Sequence, residues 1–119
     1  MKVIAKNPGE APVVVETVAD ANGELPYAFM SKSIGGFFER VVLSHDGTYE
    51  KTVSLWVDEE GLIKRLPFNA LLTHESGHQT VLVGPILVTA TDGPRTVGLS
   101  EEQVDKVMKI LGGGKVAVR

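Results

Sequence analysis

The chain has 119 residues, 43% hydrophobic and 23% charged, with a net charge of −3 and no cysteine. That balance belongs to one folded domain rather than a disordered chain, and the missing thiols exclude disulfides, thiolate metal sites and thiol catalysis. The 12 Lys and Arg residues are scattered, which is a poor footprint for nonspecific nucleic-acid binding, although a mononucleotide needs only one or two cations.

No apolar run approaches the roughly 20 residues that span a bilayer. The apolar stretch of residues 3–5 is stopped by Lys6 and the turn signal Asn7-Pro8-Gly9, unlike a signal peptide. The expectation is a cytoplasmic protein without a membrane partner.

In chain order, residues 2–6 read as a short strand, and the β-branched run 13–17 as a second strand hairpinned to it. Residues 20–23 form a polar break. Residues 24–33 read as a helix, with Pro26 in its first turn and Leu25, Phe29 and Met30 on one face. Ile34-Gly35-Gly36 ends it. Residues 37–44 read as a third strand, and residues 52–58 as an amphipathic one with Val53, Leu55 and Val57 on one face and Ser54, Trp56 and Asp58 on the other. Glu59-Glu60-Gly61 turns the chain. Residues 67–72 suggest a short helix or irregular turn. Residues 81–91 are β-rich but interrupted by Gly84-Pro85, which argues for a bulge or an edge position because proline cannot donate to a ladder.

The last helix carries the clearest signals. Ser100 and Gln103 form a capping box, Glu101 and Glu102 favour the positive end of the dipole, and Val104, Val107, Met108 and Leu111 make an apolar stripe. Gly112-Gly113-Gly114 closes it, and the alternating tail 115–119 suits an added edge strand, in cis or on a neighbour. These elements predict a single α+β domain. Its core spans about residues 1–111, with a mostly antiparallel sheet of about five strands packed by two or three short helices.

Few residues suggest chemistry. His74-Glu75-Ser76-Gly77-His78 spells the zincin motif, which works when both histidines share one helical face. Here a glycine and a neighbouring β-run argue against that helix, so His74 and His78 are weak metal candidates and a solvated loop is the plainer reading. Gly35-Gly36 follows a helix rather than leading into one, so a C-cap with a close backbone approach fits better than a phosphate cradle. Three roles are open to Trp56: stacking under a helix, burial at a subunit interface, or a platform for a ring ligand. Asn69 suits either a backbone-bonding turn residue or a ligand contact. No serine triad or nucleophile elbow is present, and no cofactor is implied.

The order of landmarks resembles a known family. Ile34-Gly35-Gly36-Phe37-Phe38-Glu39-Arg40-Val41 lies mid-chain, Trp56-Val57-Asp58-Glu59-Glu60-Gly61-Leu62 precedes Leu66-Pro67-Phe68-Asn69, and Val83-Gly84-Pro85 leads to the last helix. Together they resemble the small domain of unknown function numbered 3846, common in phages and mobile elements. The likeness runs to about residue 111 and departs from the family at residues 73–79 and in the tail. It supplies no catalytic residues. It implies an accessory protein of a phage or mobile element acting against host defence.

The expected function is therefore a non-enzymatic, homo-oligomeric binder that sequesters a small nucleotide-like signal, since tight binding without turnover needs no nucleophile or base. Trp56 would stack on the ring, Arg40 and Arg65 would hold phosphate, Asn69 would read a base or ribose edge, and Gly35 and Gly36 would allow close approach. The alternative is an inhibitor that masks a host protein through an exposed strand edge or the acidic turn Asp58-Glu59-Glu60. A hydrolase resting on His45, His74 and His78 is the third reading.

Overall fold

The computed structural model describes residues 1–45, 51–74, 79–112 and 115–118. These form β1 (Lys2–Lys6), β2 (Val13–Glu16), α1 (Tyr27–Ile34), β3 (Phe38–His45), β4 (Lys51–Asp58), β5 (Phe68–His74), β6 (Gln79–Val83), β7 (Ile86–Asp92), β8 (Arg95–Val97), α2 (Glu101–Gly112) and β9 (Lys115–Val118). The fold is α+β and mostly antiparallel. It has more strands than the expected five, and they divide into two sheets.

The larger sheet runs β2-β1-β7-β4-β3, with β8 also on β7. Every pairing in it is antiparallel. Along β7, β4 occupies one edge, while β1 takes Ile86 to Val88 and β8 takes Ala90 to Asp92 on the other. The smaller sheet runs β6-β5-β9, with β9 parallel to β5. The tail therefore pairs in cis.

Period-2 alternation decides the core, because successive residues point to opposite faces. On one face of the large sheet, Ile4, Val53, Leu55, Val57, Ile86, Val88 and Ala90 pack against Ala70 and Leu82 of the small sheet and Val104, Val107 and Leu111 of α2. On the other, Val3 and Leu87 pack against Leu25 and, from α1, Met30 and Ile34. Residues 86–91 are all buried as a result. A strand covered on both faces reads as a near-continuous apolar run, which is why residues 81–91 showed β character without a clean alternation.

Helix α1 starts at Tyr27 rather than at residue 24, because Pro26 holds the extended conformation of an N-cap, and of the glycines expected to close α2, residues 113–114 lie outside the described residues. Gly35 caps α1 in the left-handed region (φ 88°), and its N–H donates to Ser31 O. At the start of α2, Ser100 Oγ accepts from Gln103 N at 3.2 Å and Gln103 Oε1 accepts from Ser100 N at 2.8 Å. This is the reciprocal capping box. No helix among the described residues is long and apolar enough to cross a membrane.

Two local expectations are corrected. Residues 67–72 are not a helix or irregular turn: Phe68 begins β5, the middle strand of the small sheet, paired on both edges. The ladder partners come from residues 79–83 and 115–118, so no local pattern could reveal them. Gly84-Pro85 marks neither a bulge nor an edge. It is the junction where the chain leaves β6 in one sheet and enters β7 in the other, so the proline's missing N–H removes no ladder bond.

Gly84 adopts φ +74°, its N–H donates to Pro67 O at 2.8 Å, and a Cβ there would lie 2.6 Å from Leu66 Cδ1 and 3.3 Å from Leu66 Cβ. The methyl end of Leu66 can rotate away, but its Cβ cannot. Gly84→Ala is expected to destabilise the fold by about 1–3 kcal/mol through left-handed strain and overpacking, read as a lower urea midpoint at unchanged slope.

Candidate functional site

Trp56 lies opposite Arg40 on β3 and Leu87 on β7. Directly opposed residues share a sheet face, so all three project toward the side that α1 covers. The polar flank read for this strand is not a solvent face. Ser54 is fully buried and Asp58 is 6% exposed, and Ser54 Oγ bonds Thr91 Oγ1 at 2.9 Å. Trp56 itself is half-buried, and its indole N–H donates to Thr89 Oγ1 at 2.9 Å. That bond fixes the ring and spends its only donor inside the protein.

The fixed indole anchors a row of aromatic rings. Phe38 meets Trp56 edge-on, with centroids 5.6 Å apart at 88°. Tyr27, from the first turn of α1, lies 5.4 Å from Phe38 at 44°. Such tilted and edge-to-face pairs favour one arrangement over a flat sandwich. The three rings, with Asp20, Glu24, Leu25, Met30 and Thr96, line a cavity of about 310 Å³. Its mouth loop is held in place: Asp20 Oδ1 accepts from Asn22 N at 2.8 Å and Glu24 N at 3.1 Å, and Leu25 N donates to Thr96 O on β8 at 2.9 Å. Arg95 also donates to Asn22 O. The lining holds two carboxylate residues and no cation.

The other expected site residues fall elsewhere. Arg40 is exposed beside Trp56, on the terminal strand of the sheet. Gly35 serves as the cap of α1. Gly36 provides clearance, since a Cβ there would sit 2.8 Å from Lys64 Nζ and 3.3 Å from Asp58 Oδ2. Arg65 is exposed in the turn after β4, with φ 56°. Asn69 is buried in a separate network between the two sheets. Its Nδ2 donates to Lys6 O at 2.8 Å and Gly84 O at 2.7 Å, and Lys6 Nζ, on a residue only 8% exposed, donates to Asn69 Oδ1 at 2.7 Å and Asn69 O at 3.2 Å. Arg65 and Asn69 thus do not join Trp56 at the cavity. His74 ends β5, an extended segment, and residues 75–78 of the zincin-like motif lie outside the described residues. His45 closes β3. Among the described residues no three His, Asp or Glu side chains gather as a metal site.

Sequence reading missed Tyr27, Phe38, Asp20 and Glu24. Phe38 alternated visibly with Phe37, but nothing local told which of the two faced the helix. Asp20 and Glu24 belong to a loop whose position is set by β8, more than 70 residues downstream for Arg95 and Asn22.

The cavity therefore belongs to a mostly antiparallel α+β domain with an aromatic-walled cleft between its first helix and its main sheet. The chain belongs to the family DUF3846, a domain of unknown function, whose model matches residues 1–112. Neither the curated proteins nor the solved structures contain a match to the chain.

Two predictions arise here. Asn69→Ala takes the amide donor from two buried carbonyls and one acceptor from the Lys6 ammonium, at an expected cost of about 3–5 kcal/mol. Lys6→Met removes the buried charge together with its need for partners and is expected to cost less; urea unfolding of both variants checks the order. The second concerns Asp58. Its carboxylate hydrogen-bonds Lys64 Nζ at 2.9 Å and Glu60 N at 2.8 Å. Lys64 holds it below its usual range, against the opposing effect of burial, with the Glu60 N–H adding to the lowering. A carboxylate whose folded value lies below its unfolded value of 3.8 contributes stability above that pH and loses it as pH falls through the folded value. Asp58→Asn is therefore expected to lower the melting temperature at pH 7 and to flatten its fall below pH 3.8, measured by thermal melts across the acid range.

Proposed function

We propose that the protein is a non-enzymatic binding domain that holds a small, ring-bearing, nucleotide-like ligand in the cleft between α1 and the large sheet, as a sequestering accessory protein of a phage or mobile element. The observation that carries this reading is the row of three rings, Tyr27, Phe38 and Trp56, along one cavity of about 310 Å³. That volume falls within the range of small-molecule sites. Aromatic faces stack on any base, a contact worth about 1–3 kcal/mol per base.

The carboxylates refine the chemistry expected of the ligand. Asp20 and Glu24 would accept hydrogen bonds from exocyclic amines or ribose hydroxyls and would repel a phosphate. The base or nucleoside end then enters the cleft, and any phosphate points outward toward Arg40, across the sheet from Trp56. Arg65 and Asn69, the phosphate and base-edge readers expected from sequence, have no part in this pose. A homo-oligomer would enclose more of a ligand than one small domain can.

A second reading, masking of a host protein, is favoured by β3 standing at the end of the large sheet, where a partner strand can add.

The chain has a single tryptophan, so its fluorescence reports directly on the cleft. Titration with nucleosides, cyclic nucleotides and ADP-ribose derivatives is expected to change that emission and raise the melting temperature. Tyr27, 66% exposed, is the variant of choice. Tyr27→Ala should weaken binding about tenfold, the loss of roughly 1.4 kcal/mol, with the fold intact. No response to any of these ligands at millimolar concentration overturns the proposal.

A further inference from the structure

The turn between β4 and β5 is more heavily hydrogen-bonded than a connection requires. Gly61 N donates to Asp58 O at 3.1 Å, Lys64 N to Glu60 O at 2.9 Å, Arg65 N to Leu62 O at 3.2 Å and Leu66 N to Gly61 O at 3.0 Å. Asp58 pins it from beneath through Lys64 and Glu60. Gly61 is packed so closely that a Cβ would meet Val83 Cγ2 at 2.8 Å. Arg65 is the one non-glycine residue with positive φ among those described, and strain of this kind persists where surroundings enforce it.

This braced turn presents Leu62, 76% exposed, and Ile63, 82% exposed, at its tip. Phe37, 69% exposed, adjoins it: its carbonyl accepts the Glu59 N–H at 2.9 Å. Large aliphatic side chains held on a fixed knob contribute nothing to the core and carry an association hazard unless something covers them.

The charges around the tip say what covers it. Glu59 and Glu60 precede the apolar pair, and Lys64 and Arg65 follow it. Lys64 is committed to Asp58, whereas among the described residues the Arg65 side chain makes no ion pair or side-chain hydrogen bond. A partner of one sign would satisfy one flank and oppose the other, and an anionic lipid surface would meet Glu59 and Glu60. The order acidic, apolar, basic is its own complement under a two-fold axis.

We infer that the turn of residues 59–65 is a self-association surface, where two copies meet about a two-fold axis with Leu62 and Ile63 packed against their counterparts and Glu60 of each copy paired with Arg65 of the other. This rests on the homo-oligomeric part of the proposed function, names its surface, and does not depend on the ligand. Stable interfaces bury about 800 Å² per partner. A knob of this size falls at the low end, so the dimer is weak and concentration-dependent.

Sedimentation of the full chain from about 1 to 500 µM, concentrations that bracket a micromolar dissociation constant, tests it. The wild type is expected to rise from 12.8 kDa toward twice that mass. Leu62→Asp should remain monomeric with an unchanged thermal melt. Glu60→Arg and Arg65→Glu should each weaken association about tenfold, and mixing those two variants should restore it as a heterodimer, because each then meets the opposite charges. A wild type that stays monomeric overturns the inference, as does a dimer indifferent to Leu62→Asp, a mixture that fails to associate, or monomers that bind only vesicles or another protein. Ligand titration reads the cleft and sedimentation reads the turn: a dimer indifferent to Leu62→Asp overturns this surface alone, whereas a monomeric wild type also removes the homo-oligomeric part of the proposed function and leaves ligand binding standing.

Discussion

Strand β7 is covered on both faces, and the rest of the molecule is arranged to keep it so. Ile86, Leu87 and Val88 are at most 2% exposed, and each such side chain contributes about 1.5–3 kcal/mol on leaving water. A sheet with two apolar faces needs two covers. The small sheet and α2 provide one, and α1 with the loop before it provides the other. Each cover joins at a glycine in the left-handed region, Gly84 at the change of sheet and Gly35 at the end of α1. Both are bends that a side chain would oppose.

The two covers are secured differently. On the small-sheet side, a polar network of Lys6, Asn69 and the Gly84 carbonyl crosses an otherwise apolar interface. Buried amides and ammonium groups are costly unless satisfied, so this network tolerates few relative placements of the sheets. It adds specificity where apolar packing alone would permit sliding. On the α1 side, aromatic rings take a larger part in the packing, and Trp56 is locked there by its hydrogen bond to Thr89.

The cleft and the braced turn share strand β4. Trp56 and Asp58 are two residues apart and lie on the same face; the first anchors the aromatic row and the second holds the turn. Gly36 leaves the space that the Asp58–Lys64 pair fills. The proposed ligand cleft and the proposed self-association turn are therefore neighbours, both tied to the end of β4.

Local chemistry in the sequence determined the elements with short-range causes. The capping box of α2, the Gly35 cap, the β1–β2 hairpin and the buried stripe Val53, Leu55 and Val57 were legible because residues close in sequence decide them. The α+β class and the family landmarks were legible for the same reason. Tertiary structure alone decided the rest. Residues 68–72 became part of a strand because β6 and β9 flank it. Asn69 turned inward because Lys6 and Gly84, 63 and 15 residues away, needed its amide. Trp56 gained Tyr27, Phe38 and two carboxylates as neighbours because α1 closed over a face that alternation alone had marked as polar. Such placements depend on long-range closure, whose favourable terms exist only once distant segments have met, and no window of sequence contains them.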